Sequence, residues 1–241
     1  MRIAIFSDTH SNPFALRAVL PELERWQPER VLFLGDAFGY YPWAQETFEM
    51  LRPLCVEAVL GNHDRLVLDT LHDRQPNSVT EYFEAAVQNA RTLSGEAREW
   101  LAALPTQREF CVGAWRIRMV HGTPDDPLEG RLYPDNTQAF PWLPRAGEIL
   151  VFGHTHYPIL RQLESGGWLL NPGSVGQPRD GDPRPAWLAV ELTEQCHPKL
   201  HRVSYDIVEP MAQLRAMRWP SRFIAALNKT ASGPLVEATS A

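Results

Sequence analysis

Five short stretches of the sequence carry an apolar run straight into residue types that bind metals. Residues 3–6 lead into Ser7-Asp8-Thr9-His10, residues 31–34 into Gly35-Asp36, and residues 58–60 into Gly61-Asn62-His63-Asp64. Residues 117–120 lead into His121-Gly122, and residues 149–152 into Gly153-His154-Thr155-His156. The donors are carboxylate, amide oxygen and imidazole, with no thiolate among them. Such a set suits Mn²⁺, Fe, Zn²⁺ or Ni²⁺ better than Ca²⁺. Asp8 and His10 are separated by one residue, so in extended geometry both side chains point the same way, and His154 and His156 repeat that spacing. Two such pairs can grip a metal from opposite sides. Asp36, a lone carboxylate after a glycine, is suited to bridge two cations, and Asn62 and His121 supply further donors.

Two divalent cations roughly 3.5–4 Å apart can activate a bridging hydroxide and clamp both reacting oxygens of a phosphoester during in-line displacement. Set against Asp8, Asp36 and that hydroxide, the cations keep about one positive charge to face an anionic phosphoester. His63 lies next to a ligand without being needed as one. It is the natural general acid for the leaving oxygen, with Asp64 or another carboxylate to orient it. A single Asp-x-His or Gly-Asp more often marks a turn or a helix cap. The weight lies in five such motifs in order, each after a strand-like run.

Those runs read as buried strands of an α/β chain, and in open α/β sheets ligands bind just beyond the carboxyl ends of the strands. Five such ends in one sheet would converge on one spot. Between the first two strands, Asn12 is a plausible N-cap and Pro13 suits the first helical position. Ala15, Leu16, Val19, Leu20 and Leu23 recur at helical spacing up to Gln27-Pro28. A second helix over about 43–51 leads to a third strand near 56–60, which makes a βαβαβ unit and a parallel sheet. Residues 65–106 break the rhythm with helical stretches near 78–92 and 95–103, where Tyr82, Phe83, Ala86, Ala90 and Leu93 form an apolar stripe. A packing helix pair is the plainer reading of this insertion, and a lid beside the site is the functional one. From 107 onward come short strands at 108–112, 115–120, 148–152, 158–163, 167–170, 185–192 and 198–204, with hairpin turns at Gly113-Ala114 and Gly166-Gly167. They read as a second, mixed sheet packed on the first. Residues 122–147 are proline-rich and irregular. Residues 206–241 read as a C-terminal helix followed by a small, polar tail whose last ten or so residues are expected to be disordered.

With 241 residues the chain has ample length for a buried core, and its net charge of −6 gives no basic field to attract a long nucleic acid. No run of about 18 apolar residues spans a membrane, and the start shows no charged-then-apolar signal pattern. Cys55, Cys111 and Cys196 are single and widely spaced, as expected of buried or half-buried thiols in a reducing cytosol.

The five motifs resemble the calcineurin-like metallophosphoesterase superfamily over roughly residues 1–205. The resemblance implies a four-layer fold, α/β (α+β), of two mixed β-sheets packed as a sandwich and flanked by helices. It implies that Asp8, His10, Asp36 and His156 hold one metal. Asp36, Asn62, His121 and His154 would then hold the other, with Asp36 shared. His63 matches the family's catalytic histidine. The Ser/Thr protein phosphatase branch carries an Asp-Arg pair after Gly-Asp and a Glu after Asn-His. Gly39-Tyr40 and Asp64 stand there instead, which counts against protein phosphatase activity. The stretch Asn171-Pro172-Gly173-Ser174-Val175-Gly176-Gln177-Pro178-Arg179 resembles the small bacterial and archaeal phosphodiesterase branch. It can be a turn packed under the site, or it can bring Arg179 to a substrate phosphate. Tyr40 and Tyr41 can line a substrate pocket or pack as core aromatics, and Asp125 and Asp126 read as a solvated loop. His72, His197 and His201 read as surface or structural residues.

The expectation is a metal-dependent phosphoesterase, with manganese first among its two divalent metals and iron, zinc, nickel or magnesium as alternatives. It would cleave small phosphodiesters by attack of the bridging hydroxide. A phosphomonoesterase or a dinucleoside polyphosphate hydrolase is the alternative within the class. A metal-bound scaffold is the non-enzymatic one, and the presence of His63 with all seven ligands argues against it. Neither the natural substrate nor the oligomeric state has a signature in the chain.

Overall fold

The computed structural model describes residues 1–54, 56–72, 74, 78–136 and 138–228. Cys55 and the final tail, on which two sequence expectations fall, lie outside them. Strand β1 (Arg2–Phe6) runs into helix α1 (Pro13–Trp26) through the expected cap. The Asn12 side-chain oxygen accepts from the Ala15 amide at 3.1 Å, and Pro13 opens the helix. The helix buries Ala15, Leu16, Val19 and Leu23, and it ends where Gln27 turns left-handed and donates back to Leu23 and Glu24. Strand β2 (Arg30–Phe33), helix α2 (Ala44–Leu51) and the short β3 (Glu57–Ala58) complete the parallel βαβαβ unit. Helices α3 (Asn62–Leu71), α4 (Glu81–Thr92) and α5 (Gly95–Ala102) follow. The first of these has no counterpart in the sequence reading. It starts inside the Gly-Asn-His-Asp motif, where Asp64, at the third helical position, accepts from the Gly61 amide at 3.2 Å.

The remaining strands are β4 (Gln107–Val112), β5 (Trp115–Val120), β6 (Glu148–Val151), β7 (Pro158–Gln162), β8 (Trp168–Pro172), β9 (Ala186–Leu192) and β10 (Cys196–Arg202). Helices α6 (Val208–Ala216) and α7 (Ser221–Ala226) stand where one C-terminal helix is expected. The strands form two mixed five-stranded sheets, ordered β10-β9-β1-β2-β3 and β4-β5-β6-β8-β7, flanked by helices. The expectation that all strands after 107 build the second sheet is therefore wrong for β9 and β10. Strand β9 pairs antiparallel with β1 and is buried on nearly every residue, as a central strand must be. Which sheet a hairpin joins is a long-range choice that its local alternation does not encode. The five motif-bearing strand ends are likewise shared between the sheets, three in the first and two in the second, instead of lying in one.

Alternation along β1 assigns the layers. Ile3 and Ile5 face the second sheet, against Ile117, Met119 and Val151. Ala4 and Phe6 face the helices, against Leu16, Val19, Phe48 and Leu101. On the outer face of the second sheet, Val120, Leu150, Phe152 and Leu169 are covered by Leu132, Phe140 and Trp142 from the 122–147 segment. That segment thus has a core role besides leaving from His121. Both sheets end their parallel strands at the same edge, and the site is built there.

Candidate metal centre

The chain leaves each strand by an abrupt turn. Asp8 (φ 56°), His10 (φ 50°), Asp36 (φ 57°), His154 (φ 66°) and His156 (φ 63°) all have left-handed backbone. The Asp-x-His and His-x-His pairs are therefore not extended, as their spacing suggested. Each such conformation costs on the order of 1 kcal/mol for a residue with a side chain, and persists only where its surroundings over-determine it. Here they do. Asp8 N–H donates to Gly35 O at 3.0 Å and His10 N–H to Asp36 O at 2.9 Å. The Asp8 carbonyl accepts from Gly176 N–H at 2.9 Å and from Ser174 Oγ at 2.8 Å. Two glycines keep the turns in contact: a Cβ on Gly61 would lie 2.0 Å from Asp36 Oδ1, and one on Gly153 would lie 2.3 Å from Ser7 Oγ.

The side chains meet in two linked groups. His10 Nδ1 faces Phe38 O at 3.2 Å, and His156 Nδ1 faces Gln177 O at 2.5 Å. A carbonyl only accepts, so both Nδ1 atoms carry the proton and both Nε2 atoms present lone pairs. Those lone pairs face each other at 3.1 Å, with Asp8 Oδ1 3.2 Å from one ring and 3.6 Å from the other. Asp8 Oδ1 is buried without a hydrogen-bond donor. Three acceptors turned on one point, each held from behind, are what a cation fits. In the second group His121 Nδ1 donates to Leu34 O at 2.7 Å, and its Nε2 lies 3.1 Å from Asn62 Oδ1 and 3.3 Å from Asp36 Oδ2. The same Asp36 oxygen lies 3.7 Å from His10 Nε2, so one carboxylate faces both groups. His154 joins Asp36 and His121, and its Nε2 accepts from Arg131 Nε at 3.1 Å, so its own ring proton sits on Nδ1.

Charge follows this geometry. Burial works to raise the Asp8 and Asp36 carboxyls, yet the surrounding imidazoles hold both well below the usual range. Burial works to lower His121, but the Asp36 and Asp8 carboxylates outweigh it and push the ring up to about 10. His63, His154 and His156 are pushed down, chiefly by burial, to about 3, about 2 and about 4.

Beside these donors is a cavity of about 300 Å³ whose wall includes His63, Tyr40 and Arg179. Arg179 Nη2 donates to Tyr40 Oη at 2.6 Å, so the two residues singled out for substrate contact are held together. His63 packs its ring 4.6 Å from that of Tyr40, and its Nδ1 is buried without a partner. The expectation that Asp64 orients His63 fails. Asp64 accepts instead from the amides of Asp36 at 2.8 Å and Phe38 at 3.1 Å, clamping the turn that carries Asp36. Burial and the Asp36 charge push it up to about 6. The 171–179 segment both braces the site and supplies Arg179. Asn171 Nδ2 donates to Gly153 O at 2.8 Å, and Ser174 and Gln177 hold Asp8 and His156 as described.

Four contributors to the cavity had no signal in the sequence, Glu129, Arg131, Leu66 and Thr80, and a fifth, Tyr82, was legible only as part of the apolar stripe. They come from loops or helices whose direction a local pattern does not give; the charged Glu129-Gly130-Arg131 inside a proline-rich segment comes nearest to a local signal. Asp125 is exposed and accepts from Thr123 Oγ1 at 2.6 Å, in keeping with a solvated loop. His72 and His197 are exposed, and His201 stacks on Trp187 at 4.4 Å, away from the centre. Cys196 is buried, but Cys111 is exposed, contrary to expectation, because β4 is an edge strand. Among the described residues no helix is long and apolar enough to cross a membrane.

Residues 1–195 match the calcineurin-like phosphoesterase superfamily domain. A metallophosphoesterase of Sphaerobacter thermophilus, known from its crystal structure, is 31% identical, with coverage of 95% of this chain and 99% of its own and a TM-score of 0.74. An uncharacterized protein of Methanocaldococcus jannaschii is 28% identical over 239 residues, which cover 90% of this chain and 93% of its own. A hypothetical protein of Pyrococcus horikoshii shares the fold with a TM-score of 0.80 at 22% identity, covering 96% and 99%.

Proposed function

The chain belongs to the calcineurin-like phosphoesterase superfamily, and as a hydrolase of phosphate esters it acts, we propose, on small phosphodiesters at a two-metal centre. The observation that carries the two-metal reading is Asp36 Oδ2, placed 3.7 Å from His10 Nε2 and 3.3 Å from His121 Nε2. Asp8, His10, Asp36 and His156 would hold one cation, and Asp36, Asn62, His121 and His154 the other. Two divalent cations, manganese first among them, would supply Lewis acidity that activates water and neutralises phosphoryl oxygens.

The rest of the chemistry belongs to side chains. His63 is the general acid. In the free site its ring is neutral, because burial holds it near about 3. A phosphate anion arriving beside it favours the imidazolium, and that proton then goes to the leaving oxygen. Arg179, fixed by Tyr40, and Arg131, which His154 would release on taking a cation, offer guanidinium donors to the phosphoryl group from two walls of the cavity. Glu129 places a carboxylate on the same wall, and burial raises its pKa. A negative group there disfavours a dianionic monoester more than a monoanionic diester.

The test is hydrolysis of a chromogenic phosphodiester and its matching monoester after Mn²⁺ reconstitution, with His63→Ala alongside. Diester turnover that needs both metal and His63, at least tenfold above monoester turnover, is the expected result. Monoester preference would replace this reading with a phosphomonoesterase. Inertness toward both esters with two metals bound would remove it.

A further inference from the structure

The wall of the cavity divides, by contact, into two sides: one of Arg131 and Glu129, and one that is chiefly aromatic and carries Arg179. Near His154 and Asn62 stand Arg131, which donates to His154, and Glu129, whose carboxylate bonds Asn62. Near His63 stand Tyr40 and Tyr82, with ring centroids 4.6 and 5.6 Å from the imidazole, Arg179 donates to the Tyr40 hydroxyl at 2.6 Å, and Leu66, one helical turn after His63, lines the same cavity. A general acid must lie within hydrogen-bond reach of the oxygen it protonates. On the proposed role of His63, the alcohol that departs therefore occupies the side of Tyr40, Tyr82 and Leu66, with Arg179 on the phosphoryl oxygens, and the group retained on phosphorus occupies the side of Arg131 and Glu129.

We infer that Tyr82, Tyr40 and Leu66 form a leaving-group subsite for an aromatic alcohol, so that the substrates are phosphodiesters with one aromatic and one polar arm. The wall is built and held in place. Phe223 packs on Tyr40 at 5.2 Å and on Tyr82 at 5.6 Å. The Arg222 guanidinium lies 4.2 Å over the Tyr82 ring and pairs with Glu81, the residue before it. Trp219 Nε1 donates to the Tyr40 carbonyl at 2.7 Å. Trp219, Arg222 and Phe223 lie beyond residue 195, outside the matched family domain. This side of the cavity is thus completed by α4 from one direction and by the C-terminal helices from another. An aromatic ring set against a fixed tyrosine gains edge or offset contacts that a short alkyl group lacks, and such contacts are worth about a fivefold to tenfold preference.

Benzyl ethyl phosphate tests this within one molecule. Its two alcohols are of similar acidity, so chemistry alone divides the cleavage almost evenly. In the expected course the hydroxide oxygen bonds to phosphorus and the bond from phosphorus to the benzyl oxygen breaks. The electron pair stays on that oxygen, which takes the proton from His63, and benzyl alcohol and ethyl phosphate are formed. Benzyl alcohol should exceed ethanol by about fivefold or more with the wild-type protein and with Tyr82→Phe, and the ratio should fall toward one with Tyr82→Ala. The product ratio does not depend on how much enzyme is folded or loaded. Saturation transfer to the ring protons of benzylphosphonate, whose P–C bond this hydrolysis leaves intact, should fall in Tyr82→Ala as well. An even or ethanol-rich ratio in the wild type, or a benzyl bias untouched by Tyr82→Ala, would overturn the subsite. If neither alcohol appears although two metals are bound, the phosphodiesterase reading itself fails, and the subsite falls with it.

Discussion

The proton on His121 gives the centre a measurable property before any substrate is added. Held at about 10 by Asp36 and Asp8, the ring is cationic at neutral pH in the metal-free protein and must become neutral to bind a cation. Metal uptake should therefore release about one proton from this group, and below pH 10 the apparent affinity should rise about tenfold per pH unit. Titration calorimetry in two buffers of different ionisation enthalpy measures the release, and equal heats in both would refute it. On the proposed role of Arg179, Arg179→Ala removes a charge offered to the phosphoryl group and no proposed metal ligand, so kcat/KM should fall roughly 10- to 100-fold at unchanged metal content. Unchanged kinetics would make Arg179 a packing residue. At this scale the sequence was explicit about donor type, since each donor sits just past a strand-like run, and all but Asp8 and His10 in a glycine-flanked motif. It was silent about the left-handed turns at Asp8, His10, Asp36, His154 and His156, because a non-glycine residue in that conformation is stabilised by distant carbonyls and amides. Arg131 had no local signal, and Tyr82 showed only as part of a stripe, for a related reason: a loop and a helix bring them in over a distance that no local spacing records.

Among the elements, α4 shows how an insertion can become part of a site. Its apolar stripe was legible, with Phe83, Ala86 and Ala90 all buried, but its most consequential residue is polar. Asn89 is fully buried. Its side-chain oxygen accepts from Ser11 Oγ at 2.6 Å and Gly39 N–H at 2.9 Å, and its Nδ2 donates to Tyr41 O at 2.8 Å and Ala85 O at 2.9 Å. One side chain therefore fastens the turn after His10 and the 39–41 segment that carries Tyr40. Asn89→Leu leaves Ser11, Gly39 and Tyr41 with buried unpaired groups, at a cost of about 2–4 kcal/mol. Urea unfolding should show that loss as a lower midpoint. The loosened Tyr40–Arg179 pair should raise KM for a diester severalfold with metal content unchanged. A stability change with KM unaltered would confine α4 to packing. The sheet assignment of β9 and β10 was less legible than the strands themselves. Both were expected within a few residues of their observed bounds, but the pairing of β9 with β1, which carries β10 along at the edge, is decided by burial on both faces of β9, which only the assembled sandwich reveals.

For the molecule as a whole, the donors belong to both halves of the sandwich. Asp8, His10 and Asp36 end strands of the first sheet, while His121, His154 and His156 end strands of the second. A cation shared by such donors cross-links the two sheets at one edge, and it binds the folded chain alone, because no single stretch holds the full set. Binding to the native state only must stabilise it, by about 2.7 kcal/mol at a free metal concentration 100 times Kd. For a domain of this size that is an upward shift in Tm of roughly 5–10 °C between protein in chelator and protein in Mn²⁺. Substitution at a donor that faces both groups should abolish most of the shift, whereas a donor facing one group should abolish about half. Asp36→Asn and His121→Ala make that comparison by scanning calorimetry, each against its own chelator-treated form. An equal residual shift in the two variants would mean that Asp36 serves one cation, and the centre would then be mononuclear in binding even though its residues stand in two groups.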